Sequence, residues 1–254
     1  MIKGVNAQAV QDTPDDQIDA VYKELRESFN TDRTLSLSFR KTMLSSLKRG
    51  IKKYETELLA ALNSDLGNSS IEGYLANVLI LYKEIDNAMK NLSDWSKVQK
   101  RKTPMAFYPG KSYVKPQARG VVLVIGSWNY PFNTLAPAIS AIAAGNAVLM
   151  KPSEHSPACS NVFKKLCDEF LDTRFYRVIE GGIPTGTKVT GLPTDLICFT
   201  GSTYVGKIIA RAASANLTPC ILELGGKCPT IIDHTANLDV AARRVVSTKF
   251  MNAG

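Results

Sequence analysis

Apolar residues recur at helical spacing through the first third of the chain. The spacing predicts a first helix over Asp15–Phe29. A longer apolar stripe, at steps of three and four, runs through residues 44–62 and predicts a second helix. This helix is expected to end near Asn63, because Gly67 follows as a stop signal. A third stripe predicts a helix over residues 72–95, and none of these helices by itself indicates a function.

After residue 100 the pattern changes to short apolar runs separated by helical segments. The run Val121–Ile125 (VVLVI) is uninterrupted, which is typical of a strand covered on both faces. Alternating strands and helices favour an α/β fold with a parallel, doubly wound, Rossmann-like sheet. The other predicted strands are residues 147–150, 177–180, 196–200 and 220–224, and the predicted helices are residues 133–144, 157–171 and 203–214.

Prolines and a glycine interrupt the stretch between these two regions, where residues 112–117 alternate in polarity like an edge strand. We therefore divide the chain into N-terminal helices (residues 1–99), a bridging segment with the edge strand (100–118) and a Rossmann-like core (119–254). The length allows one large α/β domain or two smaller ones.

The net charge of +8 is compatible with nucleic acid, a membrane surface or an anionic small molecule as a partner. The basic residues are scattered, and only residues 97–102 form a dense run, which is usually a solvated loop or helix end. We therefore predict no nucleic-acid partner. A phosphate-bearing cofactor explains part of the charge equally well.

The five cysteines include no CxxC pair, and with only two histidines no zinc pattern can be assembled, so no metal site is expected. We interpret the cysteines as reduced core residues, which favours a cytoplasmic protein. The first twelve residues are polar, are expected to be loose and lack the apolar stretch of a secretory signal. No segment reaches the length of a membrane span.

Ligands of a doubly wound sheet bind beyond the carboxyl ends of its strands, so the loops at those ends are the candidates for chemistry. In GSWNYPF, after the first strand, Asn129 can donate a hydrogen bond to a developing oxyanion, although asparagine also commonly caps a helix. In ELGGK, at the last strand, Glu223 can act as a general base, or it can form a structural salt bridge in a tight turn. Taken singly, these motifs leave both alternatives open.

Two further loops carry residues that suit a nucleotide. In KPSE, Glu154 can accept from a ribose hydroxyl and Lys151 can donate to ribose or phosphate; the alternative is an exposed turn with a weak surface ion pair. In GSTYVG, which opens a helix, Gly201 and Gly206 allow the backbone to approach a pyrophosphate at the helix N-terminus. This spacing alone is a weak signal, and it lacks the Lys-Ser/Thr ending of a triphosphate-binding P-loop.

Together, WNYPF, KPSE, FTGSTxxG and LELGGK, in this order and at these separations, resemble the aldehyde dehydrogenase superfamily. The WNYPF version and the short N-terminal region look most like its class 3, the fatty and aromatic aldehyde branch. The resemblance runs from about Val21 to the last residue and includes DLG (residues 65–67), the turn at residues 182–184 and the NAG of residues 252–254. It implies the cofactor-binding part of an enzyme that oxidises an aldehyde to a carboxylic acid with NAD or NADP.

The resemblance also assigns a role to each loop. It implies that Asn129 helps to hold the oxyanion of a thiohemiacetal and that Glu223 is the general base that hydrolyses the thioester. Lys151 and Glu154 correspond to residues that contact the adenosine ribose. An acidic residue there favours NAD by repelling a 2′-phosphate, although class 3 members often accept NADP. The cofactor-binding set is completed by Trp128, Gly201, Ser202, Gly206 and Leu224.

The chain departs from the family at the nucleophile. The family follows NAG with Gln, one variable residue and the nucleophilic cysteine, whereas this sequence stops at Gly254 and none of its cysteines occupies that position. In one hypothesis the chain is the cofactor-binding part of an aldehyde dehydrogenase, with part of an oligomerisation hairpin but without the catalytic domain. It would bind cofactor but be inactive, and the full-length protein would be a homodimer with an aldehyde substrate. In the alternative, it is a non-catalytic NAD-binding or scaffold module.

Overall fold

The computed structural model describes residues 10–253, which begin with helices that pack against the sheet. α1 spans Asp15–Phe29, as predicted, and α2 spans Leu37–Leu66. Gly67 ends α2 in the left-handed conformation, with φ of 71°, so the helix stops one turn later than expected but at the predicted glycine. None of the helices among the described residues is long and apolar enough to span a membrane.

The third predicted helix is divided. α3 (Ser70–Gly73) and α4 (Leu79–Trp95) are separated by a π-helical turn over Tyr74–Val78. Asn77 in this turn is completely buried, and neither side-chain atom has a hydrogen-bond partner within the described residues. Apolar spacing does not reveal such a turn, because Tyr74 and Val78 within it pack into the same core as the apolar residues of α4.

The bridging segment folds into a two-stranded antiparallel ribbon. β1 (Gln99–Arg101) pairs with β2 (Ser112–Val114), so the edge strand predicted at residues 112–117 is present over its first half. β1 was not predicted, because its three polar residues show no alternation and all are exposed. That the ribbon is part of an oligomerisation hairpin stays a prediction.

A five-stranded parallel sheet forms the centre of the fold. Its strands are β3 (Val121–Ile125), β4 (Ala147–Lys151), β5 (Tyr176–Val178), β6 (Leu196–Gly201) and β7 (Cys220–Leu224). The spatial order is β5-β4-β3-β6-β7, and every neighbouring pair is parallel. The chain moves outward from β3 to β5 and then returns to place β6 on the other side of β3. This reversal creates a switch point between β3 and β6, and the doubly wound fold is confirmed.

Side chains of the sheet alternate between two apolar cores. One core lies between the sheet and α2, α4, α5 (Pro137–Ala143) and α6 (Pro157–Phe170). The other lies between the sheet and α1, α7 (Ile183–Thr190) and α8 (Thr203–Ser214). Every residue of β3 is buried, because the strand contributes to both cores. The N-terminal helices take part in both cores, so a domain boundary at residue 99 stays a prediction.

Several element boundaries differ from the predictions. The predicted helix at residues 133–144 starts as a 3₁₀ turn before α5, and β5 begins and ends earlier than residues 177–180. α7 and α9 (Leu238–Lys249) were not predicted. The sequence of α7, IPTGTKVT, is rich in weak helix formers. α9 buries no side chain within the described chain.

Candidate functional site

The carboxyl ends of β3, β4, β6 and β7 lie along the same side of the sheet, which we call the carboxyl edge. The loops that follow these strand ends carry the candidate residues. Ile125 of β3 lies opposite Lys151 of β4 and Phe199 of β6, and Thr200 of β6 lies opposite Glu223 of β7. Neighbouring strands are about 4.8 Å apart, so β3 and β7 are separated by about 10 Å. The candidate residues therefore flank the switch point, where doubly wound sheets bind their ligands.

The loop after β3 presents Asn129 to solvent. Ser127 Oγ donates a hydrogen bond to Asn129 Oδ1 at 2.7 Å, which leaves the Asn129 amide Nδ2 to donate outward. The next residue back, Trp128, is about half exposed. Asn129 does not cap the following helix, because the N-cap of α5 is Ala136. The arrangement suits a hydrogen-bond donor directed at a ligand.

Lys151 ends β4 with only 4% of its surface exposed. Its Nζ lies 3.2 Å from Glu154 Oε2 and donates to the Pro152 carbonyl at 3.2 Å. Burial raises the pKa of Glu154. The backbone N–H of Glu154 and the charge and hydrogen bond of Lys151 outweigh this effect, so the pKa falls below its usual value and the carboxylate is ionised at neutral pH. The pair is therefore not the exposed surface ion pair of the alternative interpretation.

The strand β6 ends at Gly201, and Ser202 Oγ caps α8 by accepting a backbone hydrogen bond at 3.2 Å. A Cβ atom on Gly201 would lie 2.4 Å from the ring of Phe199, and one on Gly206 would lie 2.7 Å from Leu224 Cδ2. Close packing within the protein is therefore enough to explain why both positions are glycine. The close approach of a phosphate to this helix N-terminus stays a prediction.

Glu223 lies on β7, which is an outer strand of the sheet, and its side chain is exposed. The alternative interpretation of this residue was a structural salt bridge. No ion pair of Glu223 is found within residues 10–253. An exposed carboxylate close to Gly225 and Gly226 is able to change its direction and is in contact with solvent.

Four of the five cysteines are unsuited to act as a nucleophile. Burial raises the pKa of four thiols, which are Cys159, Cys167, Cys198 and Cys220. Since the thiolate is the reactive form, these four are poor nucleophiles. The expectation that all five cysteines are core residues is wrong for Cys228, which is exposed in the segment after β7, whereas Cys220 is half-buried and packs against the second core. Within the described residues, no three His, Cys, Asp or Glu side chains cluster as metal ligands would.

Asp12 corrects the expectation that the first twelve residues are loose. Its Oδ1 accepts hydrogen bonds from the Gly182 N–H and from Thr185 Oγ1, both at 2.8 Å. These hydrogen bonds lower the pKa of Asp12. The contact fixes Asp12 beside the turn at residues 182–184. Residues 1–9, to which the same expectation applied, lie outside the described residues.

Asn252 adds a contact to the site that sequence reasoning missed. Its Nδ2 donates to the Asn129 carbonyl at 2.6 Å, and its Oδ1 accepts from Asn68 Nδ2 at 2.8 Å. Asn252 and Asn68 are buried, whereas Asn129 is exposed. The only indication of this contact in the sequence is where the two residues stand: Asn252 opens the NAG motif, and Asn68 directly follows the DLG motif.

Comparisons with known proteins agree with this geometry. The model of the aldehyde dehydrogenase family matches residues 2–254. The chain is 42% identical over 231 residues to aldehyde dehydrogenase family 3 member A2 of Mus musculus, covering 91% of this chain and 48% of that protein. It is 42% identical over 233 residues to the dimeric, NADP-preferring aldehyde dehydrogenase of Rattus norvegicus, covering 91% and 51%.

A solved structure of Staphylococcus aureus AldH in its substrate-bound state superposes with a TM-score of 0.89 at 44% identity, covering 93% of this chain and 52% of that one. The chain spans about half the length of the curated relatives it matches. The family 3 relative confirms the resemblance to class 3. Since the family model covers almost every residue and the sheet superposes on a solved member, the chain belongs to the aldehyde dehydrogenase family.

Proposed function

We propose that the protein containing this chain oxidises an aldehyde: R–CHO + NAD(P)⁺ + H₂O → R–COO⁻ + NAD(P)H + 2 H⁺. The observation that carries the proposal is the placement of Asn129, the Lys151–Glu154 pair and Glu223 at one edge of the sheet, on both sides of the switch point. In this proposal the chain supplies the cofactor-binding half of the enzyme. Family membership supports the reaction type.

The residues at the edge fit a dinucleotide. Lys151 and Glu154 would hold the adenosine ribose, since they offer one cationic donor and one ionised acceptor. The exposed N-terminus of α8, after Gly201 and Ser202, would hold the pyrophosphate. Trp128, Gly206 and Leu224 line the same edge and complete the proposed set. When bound, the nicotinamide cofactor accepts the hydride that the aldehyde loses.

Two side chains of this chain would serve the chemistry. Asn129 Nδ2 would donate to the oxyanion that forms when a thiolate attacks the aldehyde, because Ser127 already occupies Asn129 Oδ1. Glu223 would take a proton from the water that hydrolyses the resulting thioester. The attacking thiolate would come from a part of the protein beyond these 254 residues.

An open apolar surface supports the presence of further structure in the full-length protein. β7 forms one edge of the sheet, and Ile221 on it is exposed. Leu238 of α9 and Phe250 after it are exposed as well. Large apolar side chains exposed in this number normally contact another part of a protein. We propose that the remaining half of the enzyme covers them.

The proposed reaction is tested by comparing the full-length protein with residues 1–254 alone. We expect the full-length protein to produce NADH from a fatty or an aromatic aldehyde. Residues 1–254 should bind NAD in a calorimetric titration but show no turnover, because none of their cysteines occupies the position after NAG where the family carries its nucleophile. Turnover by residues 1–254 would contradict the missing nucleophile. A full-length protein that binds NAD without turnover would support the alternative, a non-catalytic NAD-binding or scaffold module.

Glu154 is expected to control the choice between NAD and NADP. We expect Glu154→Gln to weaken NAD binding about tenfold, or about 1.4 kcal/mol. The variant should weaken NADP binding less, because the substitution removes a charge that repels the 2′-phosphate and leaves Lys151 without its partner. Calorimetric Kd values for both cofactors provide the measurement. Glu57→Gln on α2, which breaks an exposed pair with Lys165 of α6, is the matched control. An unchanged ratio of the two Kd values would remove Glu154 from the ribose site.

The proposed partners are an aldehyde and a second copy of the full-length protein. The dimeric rat relative supports a homodimer, and the exposed β1–β2 ribbon offers strand edges for it. All five cysteines are free, which supports the proposal of a reducing, cytoplasmic compartment. The expected lack of a nucleic-acid partner and of a metal site stays a prediction.

A further inference from the structure

Asn252 is fixed in a backbone conformation that few residues adopt. Its φ of 54° and ψ of 47° are left-handed, a region that asparagine tolerates better than most other non-glycine residues. The side chain is 5% exposed, and the backbone N–H donates to Glu72 Oε1 of α3. Such a conformation persists where the surrounding structure determines it, often at functional sites.

Both ends of the Asn252 amide are hydrogen-bonded. Nδ2 donates to the carbonyl of Asn129, and Oδ1 accepts from Asn68, which is itself 2% exposed. The Asn68 carbonyl in turn accepts from Asn63 Nδ2 at 2.9 Å. We call Asn68, Asn252 and the Asn129 carbonyl the amide bridge. It joins three segments of the chain, namely the turn before α3, residues 251–253 and the loop after β3.

The amide bridge acts on the backbone of the candidate oxyanion donor. Ser127 holds the side-chain oxygen of Asn129, while Asn252 holds its carbonyl. Two fixed points on one exposed residue limit the directions in which Nδ2 can donate. A donor to a developing charge has to be held within about 0.5 Å, and a displacement of about 1 Å can cost about 10²-fold in rate.

We propose that Asn252 is a positioning residue for Asn129, and that the amide bridge links this donor to the N-terminal helices through Asn68 and Glu72. The inference rests on the proposed function, since it gives Asn129 a task in the reaction. By the family resemblance, Asn252 also directly precedes the segment that carries the nucleophile.

Asn252→Gly in the full-length protein removes the side-chain amide but keeps the interactions of the backbone. Glycine adopts the left-handed conformation easily and keeps the N–H that donates to Glu72. We expect kcat to fall about 10- to 100-fold, with an unchanged Kd for NAD, because Lys151 and Glu154 are not touched. Asn91→Ala, a half-buried asparagine whose side chain donates to Asn87 within α4, is the matched control and should keep full activity.

A double-mutant cycle distinguishes positioning from a general structural effect. Once Asn129→Ala has removed the donor, adding Asn252→Gly should slow the reaction no more than about twofold, because residues that act through one another are not additive. Asn68→Ala should show the same dependence with a smaller single effect, and it serves if Asn252→Gly does not fold. Fully additive losses would overturn the inference while leaving the oxidation intact. If the wild-type full-length protein shows no turnover, the proposed function itself fails, and the inference falls with it.

Discussion

Glu223→Gln in the full-length protein is expected to keep a first, fast turnover of NADH and to lose steady-state turnover by about 10²- to 10⁴-fold. In the proposed reaction the first NADH forms before water attacks the thioester, so it does not need the general base. Every later turnover requires hydrolysis. Glutamine keeps the size of the side chain but does not accept a proton from water, and Glu223 is exposed on β7, where water reaches it.

Rapid-mixing absorbance at saturating aldehyde and NAD measures both phases in one experiment. The burst amplitude should equal the concentration of active sites, and the slow phase should be nearly flat. Glu27→Gln, an exposed carboxylate at the end of α1, is the control and should keep both phases. Loss of the burst together with the steady state would assign Glu223 to activation of the thiol instead.

The sheet and its helices were predictable because their signals are local. β3 and β7 begin and end at the predicted residues, and so do α1 and α8. An uninterrupted apolar run such as β3 is buried on both faces, so its composition alone distinguishes it from an exposed segment. The ends of α2 were less certain, because a helix continues through polar residues until a residue such as Gly67 takes the left-handed conformation.

Elements that depend on distant contacts were not predictable. β1 consists of three exposed polar residues, and only its pairing with β2 makes it a strand. The π-helical turn at Tyr74–Val78 leaves the apolar stripe unchanged, so spacing predicts one helix where the structure has two. α9 carries apolar residues but buries none of them within the described chain. Among these residues, no other element covers the apolar side chains of α9 and so marks them as the buried face of a helix.

The same distinction holds for the candidate site. The loops of Asn129, Lys151, Gly201 and Glu223 follow from strand order, because the carboxyl ends of parallel strands meet at one edge of the sheet. The contact between Asn68 and Asn252 joins residues 184 positions apart. No periodicity relates such residues, and asparagine has no preference that would reveal its partner. The contact of the turn at residues 251–253 with α3, where Asn252 N–H donates to Glu72, is what brings them together.

Asn129→Ala is expected to slow both the burst and the steady state by about 10²- to 10³-fold, because the oxyanion donor acts before the hydride leaves. The Kd for NAD should not change, since the proposed ribose contacts lie on β4 and in the loop that follows it. Rapid mixing gives the two rates, and calorimetry gives the Kd. Asn161→Ala, an exposed asparagine on α6, is the control.

A graded variant tests whether direction, rather than the mere presence of the amide, accounts for the loss. Ser127→Ala keeps Asn129 but removes the hydrogen bond to its Oδ1, so the amide can rotate. A neutral hydrogen bond contributes about 0.5–1.5 kcal/mol, which corresponds to about 2- to 12-fold in rate. We therefore expect Ser127→Ala to lie between wild type and Asn129→Ala, and to have no further effect when combined with Asn129→Ala. If Asn129→Ala leaves the burst rate unchanged, the oxyanion is stabilised by other groups, and the outward-directed amide of Asn129 has another use.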